Sequence, residues 1–197
     1  MILKICQAGH PALRRRARPL SAEEIRGDEI RRLVESMTET MRDAPGVGLA
    51  APQVGVSVRL AVIEDRSEYL GGLTAEQAAE RQRIPVPLHV IINPELTIEA
   101  GETVEFFEGC LSVSGLTALT PRALRVSVKC LNERAEPQEI HAQGWYARIL
   151  QHEIDHLDGT LYVDRMRPRS LCTVENHGRY WRDVPAEEVR RTFAAER

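Results

Sequence analysis

Apolar residues along this chain change their spacing several times, and each change marks an element. In Asp28–Asp43, Ile30, Leu33, Val34, Met37 and Met41 recur at intervals of three and four, the period of a helix with one buried face. Pro45 and Gly46 end it. Just upstream, Ser21-Ala22-Glu23-Glu24 has a hydroxyl at the cap and a carboxylate three residues on, the pattern of a capping box. Residues 58–64 and 88–93 are apolar, β-branched runs and predict strands. Leu124, Val126, Val128 and Cys130 alternate with Arg125, Ser127 and Lys129, which predicts a half-buried strand. Between the first two strands, residues 65–87 are polar and contain Gly71-Gly72. They read as an inserted surface loop with one helical turn at 74–81. Gly144–Leu157 predicts a second long helix, apolar on most sides through Ile149, Leu150, Ile154 and Leu157, as a helix enclosed by sheet should be. Beyond Met166 the chain turns polar, and Asp183-Val184-Pro185-Ala186 opens a terminal helix. The sum is an α+β fold with antiparallel β-sheets around a central helix. It is expected to form one domain over residues 1–197, with a core of about 2–166 and a C-terminal tail of about 167–197.

That central helix carries the run Gln151-His152-Glu153-Ile154-Asp155-His156-Leu157-Asp158-Gly159. Residues i and i+4 share a helix face, so both imidazoles reach one metal ion. Glu153 falls on the shoulder of that face, close enough to handle a water at the metal but not placed as the next ligand. The His-Glu-x-x-His pattern points to water activated by a metal and attacking a polarised carbonyl. Such a centre has three protein ligands and one open position. One zinc-protease class places a third His six residues after the second; here that position is Tyr162, which excludes the class. Another class uses a Glu on a later helix, and Glu175, Glu187 and Glu188 keep a small zinc endopeptidase open.

Two upstream segments bear on the third ligand. Glu108-Gly109-Cys110-Leu111-Ser112 follows a stretch of strand character, and a thiolate beside a metal is a soft, strongly donating ligand. A free Cys is also a common small buried apolar residue. Gly46-Val47-Gly48-Leu49-Ala50-Ala51-Pro52-Gln53 is a small-residue loop whose glycines let the backbone approach a ligand. Gln53 can donate to a developing oxyanion. By itself such a run is most often just a turn entering a strand. A closed, four-ligand structural site in an interaction module is the reading without catalysis, and there Glu153 is only a surface charge.

Taken together and in order, the three segments resemble the peptide deformylases. That family carries a Gly-x-Gly-x-Ala-Ala-x-Gln loop, a Glu-Gly-Cys-x-Ser segment and a His-Glu-x-Asp-His-Leu-x-Gly helix, all complete here. The resemblance runs from about Ile2 to about Met166. Its opening looks bacterial, while Gly144-Trp145-Tyr146-Ala147-Arg148-Ile149-Leu150 looks more like the plant and mitochondrial branch. It implies removal of the N-formyl group from the N-terminal methionine of newly synthesised proteins, with release of formate. It implies a divalent metal on Cys110, His152 and His156, Fe(II) in its native form, with zinc or nickel able to replace it. Glu153 would move the proton, and the Gln53 side chain and the Leu111 backbone N–H would stabilise the oxyanion. Glu108 would stand behind the ligands, paired with Arg122, and orient the Cys110 segment. Gly46, Val47, Gly48, Phe106, Gly109, Trp145 and Ile149 would bind substrate. Many bacterial members carry an Arg near the substrate backbone, where this chain reads Leu116-Thr117-Ala118. The expected partners are N-formylmethionyl nascent peptides and the ribosome near its exit tunnel.

Composition fits this picture. Of 197 residues, 43% are hydrophobic and 28% charged, and the net charge is −3, so nothing calls for DNA or an anionic membrane as partner. The four cysteines (Cys6, Cys110, Cys130 and Cys172) include no Cys-x-x-Cys pair, which suits a reducing compartment and a cytoplasmic location. No stretch approaches the roughly 20 apolar residues of a membrane span. Arg14-Arg15-Arg16 reads as a solvated turn, because the resemblance begins at Ile2 and leaves no room for a removable leader.

Overall fold

The computed structural model describes residues 1–99 and 101–194. Its helices are α1 (Ala22–Arg26), α2 (Asp28–Asp43), α3 (Ala75–Glu80), α4 (Gly144–Leu157), α5 (Val174–Tyr180) and α6 (Ala186–Ala194). Its strands are β1 (Gly48–Ala50), β2 (Leu60–Asp65), β3 (Val86–Ile98), β4 (Thr103–Cys110), β5 (Val113–Ala123), β6 (Arg125–Leu131), β7 (Pro137–Gln143) and β8 (Cys172–Thr173). They form a five-stranded sheet in the order β1-β2-β3-β6-β7 and a three-stranded sheet in the order β4-β5-β8. Every pairing within the two sheets is antiparallel.

The alternation of β2 explains the layering. Ala61 and Ile63 face Leu150, Ile154 and Leu157 of α4, while Leu60 and Val62 face Ile30, Met37 and Met41 of α2. A strand buried on both faces reads as a continuous apolar run, and β2 does. The larger sheet thus lies between α2 and α4, and the smaller sheet meets α4 from another side through β5. Met37 and Met41 are fully buried, each contributing about 1.5–3 kcal/mol of apolar burial. The Ser21 capping box is formed in full, with Glu24 closing it.

Two departures from the sequence reading matter for the site. Residues 65–87 lie at the surface with a helix at Ala75–Glu80, as expected, but the segment is anchored rather than free. Arg83 forms a two-pronged ion pair with Asp65 at 2.8 Å on each prong, and Asp65 is buried. The segment is pinned there to the end of β2 and then packs on the start of α4. The second departure is the junction between β7 and α4: the strand ends at Gln143 and the helix begins at Gly144, with no residue between. Gly144 makes the corner at φ +61°, and a Cβ there would meet Gln82 Cβ at 2.5 Å and the Arg81 carbonyl at 2.8 Å. Only glycine fits both constraints.

Candidate metal centre

Cys110 is the last residue of β4, and the register with β5 slips between Gly109 and Cys110. Such an irregularity re-aims a side chain, and here the thiol turns toward α4. His152 and His156 stand one turn apart on that helix. Cys110 Sγ lies 3.2 Å from His156 Nε2, which lies 3.2 Å from His152 Nε2. The three donor atoms all fall within 4.8 Å of one another. His152 Nδ1 sits 2.6 Å from Glu108 Oε1 and donates to it, which leaves the Nε2 lone pair facing the other donors. One sulfur and two imidazole nitrogens on a common point suit a divalent transition ion such as iron, zinc or nickel rather than magnesium or calcium. The residues present therefore fit the expected metal.

Behind the ligands lies a buried charge network. Besides His152, Glu108 accepts from Arg122 Nη2 at 2.6 Å, Arg122 Nε at 3.2 Å and Arg148 Nη1 at 2.8 Å. Arg122 also reaches Asp155 at 2.5 Å, and Arg165 grips the same carboxylate at 2.6 and 2.7 Å. Burial opposes the charge on Glu108, but His152 and Arg122 outweigh it and hold the carboxyl well below its usual range. Burial likewise opposes a proton on His152, yet Cys110 and Glu108 together raise its pKa. His156 is pushed down by burial and by its neighbour His152.

Glu153 is buried, and its Oε2 has no hydrogen-bond partner among the described residues. Burial pushes its carboxyl up to about 7, against the pull of His152. It projects over Gly48 so closely that a Cβ there would meet Glu153 Oε1 at 2.2 Å. The Gln53 amide is fixed at its oxygen by the Ala50 N–H at 2.8 Å. Its nitrogen points to Ser112 Oγ at 3.2 Å and Cys110 Sγ at 3.6 Å.

Gln53, Glu108, Cys110, Arg148, His152 and Glu153 open on a cleft of about 310 Å³, with His156 buried behind them. A family model described as polypeptide deformylase matches residues 2–171. The chain belongs to that family. Among its relatives, the chloroplastic peptide deformylase 1A of Solanum lycopersicum is 47% identical, over 87% of this chain and 62% of its own length. The chain therefore spans less than two thirds of that plant relative. Peptide deformylase 3 of Streptomyces avermitilis is 45% identical, over 95% of this chain and 81% of its own. The fold matches a class I type b peptide deformylase of Acinetobacter baumannii solved with Met-Ala-Ser bound. That match has a TM-score of 0.75 at 34% identity, over 84% of this chain and 99% of that one.

Within this deformylase-family site, Gly46, Val47, Gly48, Gln53, Glu108, Gly109, Leu111, Trp145, Ile149 and Glu153 line the cleft together with Cys110 and His152. Phe106 does not. Its ring is covered by Trp145, 6.3 Å away between centroids, and by the guanidiniums of Arg81 and Arg148. It stands one layer behind the wall and lines an adjoining cavity of about 450 Å³; Phe107 reaches both spaces. Arg122 is buried at 4% exposure. Its pairing with Glu108 bears on the ligand His152 as well as on the Cys110 segment. Tyr162 stacks on His152 with centroids 6.5 Å apart. Glu175, Glu187 and Glu188 are exposed and stand outside the ligand cluster found among the described residues. Sequence reasoning missed Arg148, Asp155, Leu116 and Val174. The signal for the first two was present: each is a charge on an otherwise apolar helix.

Proposed function

We propose that this protein hydrolyses the N-formyl group from the N-terminal methionine of nascent peptides and releases formate. The observation that carries the reading is the unpartnered Glu153 Oε2, buried beside three convergent donor atoms and facing a glycine. A divalent cation on Cys110, His152 and His156 supplies Lewis acidity, acidifying a water and polarising the formyl carbonyl. Fe(II) is the native ion in this reading, with zinc or nickel as substitutes.

Glu153 takes the proton of the attacking water and hands it to the departing amine. A carboxyl held near 7 is poised for both transfers at neutral pH. The Gln53 amide, locked by Ala50, donates to the developing oxyanion with the backbone N–H of Leu111. Gly48 leaves room for Glu153 and for the formyl group. Trp145 and Ile149 receive the methionine side chain, with Val47 across the cleft. With no base at Leu116-Thr117-Ala118, the rest of the peptide is held through its backbone.

In this reading the protein acts where nascent chains emerge, in the cytoplasm near the ribosomal exit tunnel. All four cysteines are free, which suits a reducing compartment; no helix of the described residues is long and apolar enough to cross a membrane. The test is formate release from formyl-Met-Ala-Ser by protein purified anaerobically, beside Glu153→Ala and Cys110→Ala. Activity lost in both variants, with metal retained only in Glu153→Ala, supports the roles given. A metal-loaded wild type that releases no formate but cuts an internal peptide bond would sink the proposal.

A further inference from the structure

Helix α4 carries a charge where its neighbours are apolar. Arg148 stands one turn before His152 on the same face, at 2% exposure. Its Nη1 donates to Glu108 Oε2 at 2.8 Å and to the Thr120 carbonyl at 2.9 Å, and its Nη2 donates to the Val104 carbonyl at 2.9 Å. One guanidinium thus joins α4 to β4 and β5. Its Cζ lies 5.7 Å from the Trp145 ring centre and 5.5 Å from that of Phe106. Both Arg148 and Trp145 line the cleft.

A buried guanidinium is expensive to desolvate, and an apolar side chain of similar volume would avoid that cost. The chain retains the cation, and its contacts say what it does. The two histidines are held unequally. His156 Nδ1 has no partner among the described residues, whereas His152 Nδ1 is tied to Glu108 at 2.6 Å. The set of the Glu108 carboxylate therefore fixes the ring plane of His152. Arg122 grips that carboxylate from the side of Asp155, and Arg148 grips it from the side of the cleft.

We propose that Arg148 is a positioning residue that ties the cleft wall at Trp145 to the ligand His152 through the Glu108 carboxylate. A substrate side chain seated against Trp145 and the metal-facing edge of His152 are then held by one guanidinium. The inference rests on the metal-centre reading above, and its test reads the metal directly.

Wild type, Arg148→Leu and Arg148→Lys are loaded with Co(II). The visible bands report ligand geometry, and chelator competition reports affinity. In Arg148→Leu the bands shift and affinity falls about 10–100-fold, the usual effect of losing a group that orients a metal ligand. In the same variant kcat for formyl-Met-Ala-Ser falls more than KM rises. Arg148→Lys recovers part of each, because an ammonium reaches Glu108 but cannot also span the carbonyls of Thr120 and Val104. A folded Arg148→Leu with wild-type bands and affinity overturns the proposal. If Arg148→Leu fails to fold, Arg148→Lys decides alone: weakened affinity supports the role, and wild-type bands with wild-type affinity overturn it. A wild type without a cysteine-to-cobalt absorption band overturns the metal centre itself, and this role with it.

Discussion

Replacing Gly48 by alanine should silence the proposed deformylase activity without removing a single functional group. A Cβ at this position meets Glu153 Oε1 at 2.2 Å, Cδ at 2.6 Å and Cγ at 2.8 Å. Non-bonded carbon and oxygen need about 3.2 Å, so the carboxylate must retreat by roughly 1 Å. The backbones cannot move apart, because Leu49 beside it and Leu150 and Ile154 on α4 are locked in the core. The side chain has to rotate instead, and Oε2 leaves its place in the cleft. A misplacement of about 1 Å costs on the order of 10²-fold in rate, equivalent to about 2.7 kcal/mol of barrier. Gly48 is not among the positive-φ residues, so alanine adds no backbone strain. Loss of a glycine from a strand instead gains up to about 1 kcal/mol of stability. The expected result is a fall in kcat of about 10²-fold or more, with metal content and melting temperature close to wild type. The assays are steady-state formate release, metal analysis and a thermal melt. A Gly48→Ala protein that keeps its metal and more than about a third of wild-type kcat would refute the reasoning, because general-base losses run to 10²–10⁴. Loss of metal would refute it differently, by showing that the methyl disturbs the ligands.

Other changes test separate parts of the structure. Gln53→Ala should lower kcat by about 10²–10³ with metal retained, the usual effect of deleting an oxyanion donor; an unchanged kcat would remove Gln53 from the mechanism. Arg83→Ala leaves the buried Asp65 carboxylate unpaired and should cost about 3–5 kcal/mol, read from denaturant unfolding; a change under about 1 kcal/mol, the scale of an exposed pair, would show that residues 65–87 are not pinned there. His89 accepts from Tyr146 at 2.9 Å, and burial lowers its pKa below 6.5. The unfolded chain therefore binds the extra proton first, and stability should fall as pH drops below about 6.5. His89→Gln should flatten that slope between pH 7.5 and 5.5 in thermal melts, and an identical slope would exclude His89 as its source.

The elements read most easily were those whose burial is one-sided or complete. The bounds of α4 follow from Gly144 at its start and the apolar run through Leu157, and α2 follows from its stripe. Strand β7 was missed because it is an edge strand with only Ala142 buried, so Pro137-Gln138-Glu139 reads as polar loop. Strand β5 was missed because Gly115 and Pro121 interrupt it, although β4 and β8 pair on either side. In the site, the grouping of His152, Glu153 and His156 was legible because their spacing on one helix is itself geometric information; Cys110, on β4, joined them only through the resemblance. Arg148 stood out as a charge on an apolar helix, but its place was not legible, because its partners Glu108, Thr120 and Val104 lie 28 to 44 residues away. A charged residue on a helix reads as solvent-facing until those partners are brought to it. Phe106 was placed in the wall because sequence does not show that Trp145 and two arginines stand in front of it.

The direct run from β7 into α4 gives this chain an uneven tolerance for insertions. The turn between β6 and β7 is held by Asn132, whose side chain accepts from Arg134 and Glu136 backbone N–H groups at the surface. An extra residue there lengthens a loop and leaves the β7 ladder in phase. An extra residue between Gln143 and the first turn of α4 has no slack to absorb it. It would rotate His152 and His156 by about 100° and carry them about 1.5 Å along the axis, away from Cys110. Variation in length is therefore open at one end of β7 and closed at the other, within a single strand of seven residues.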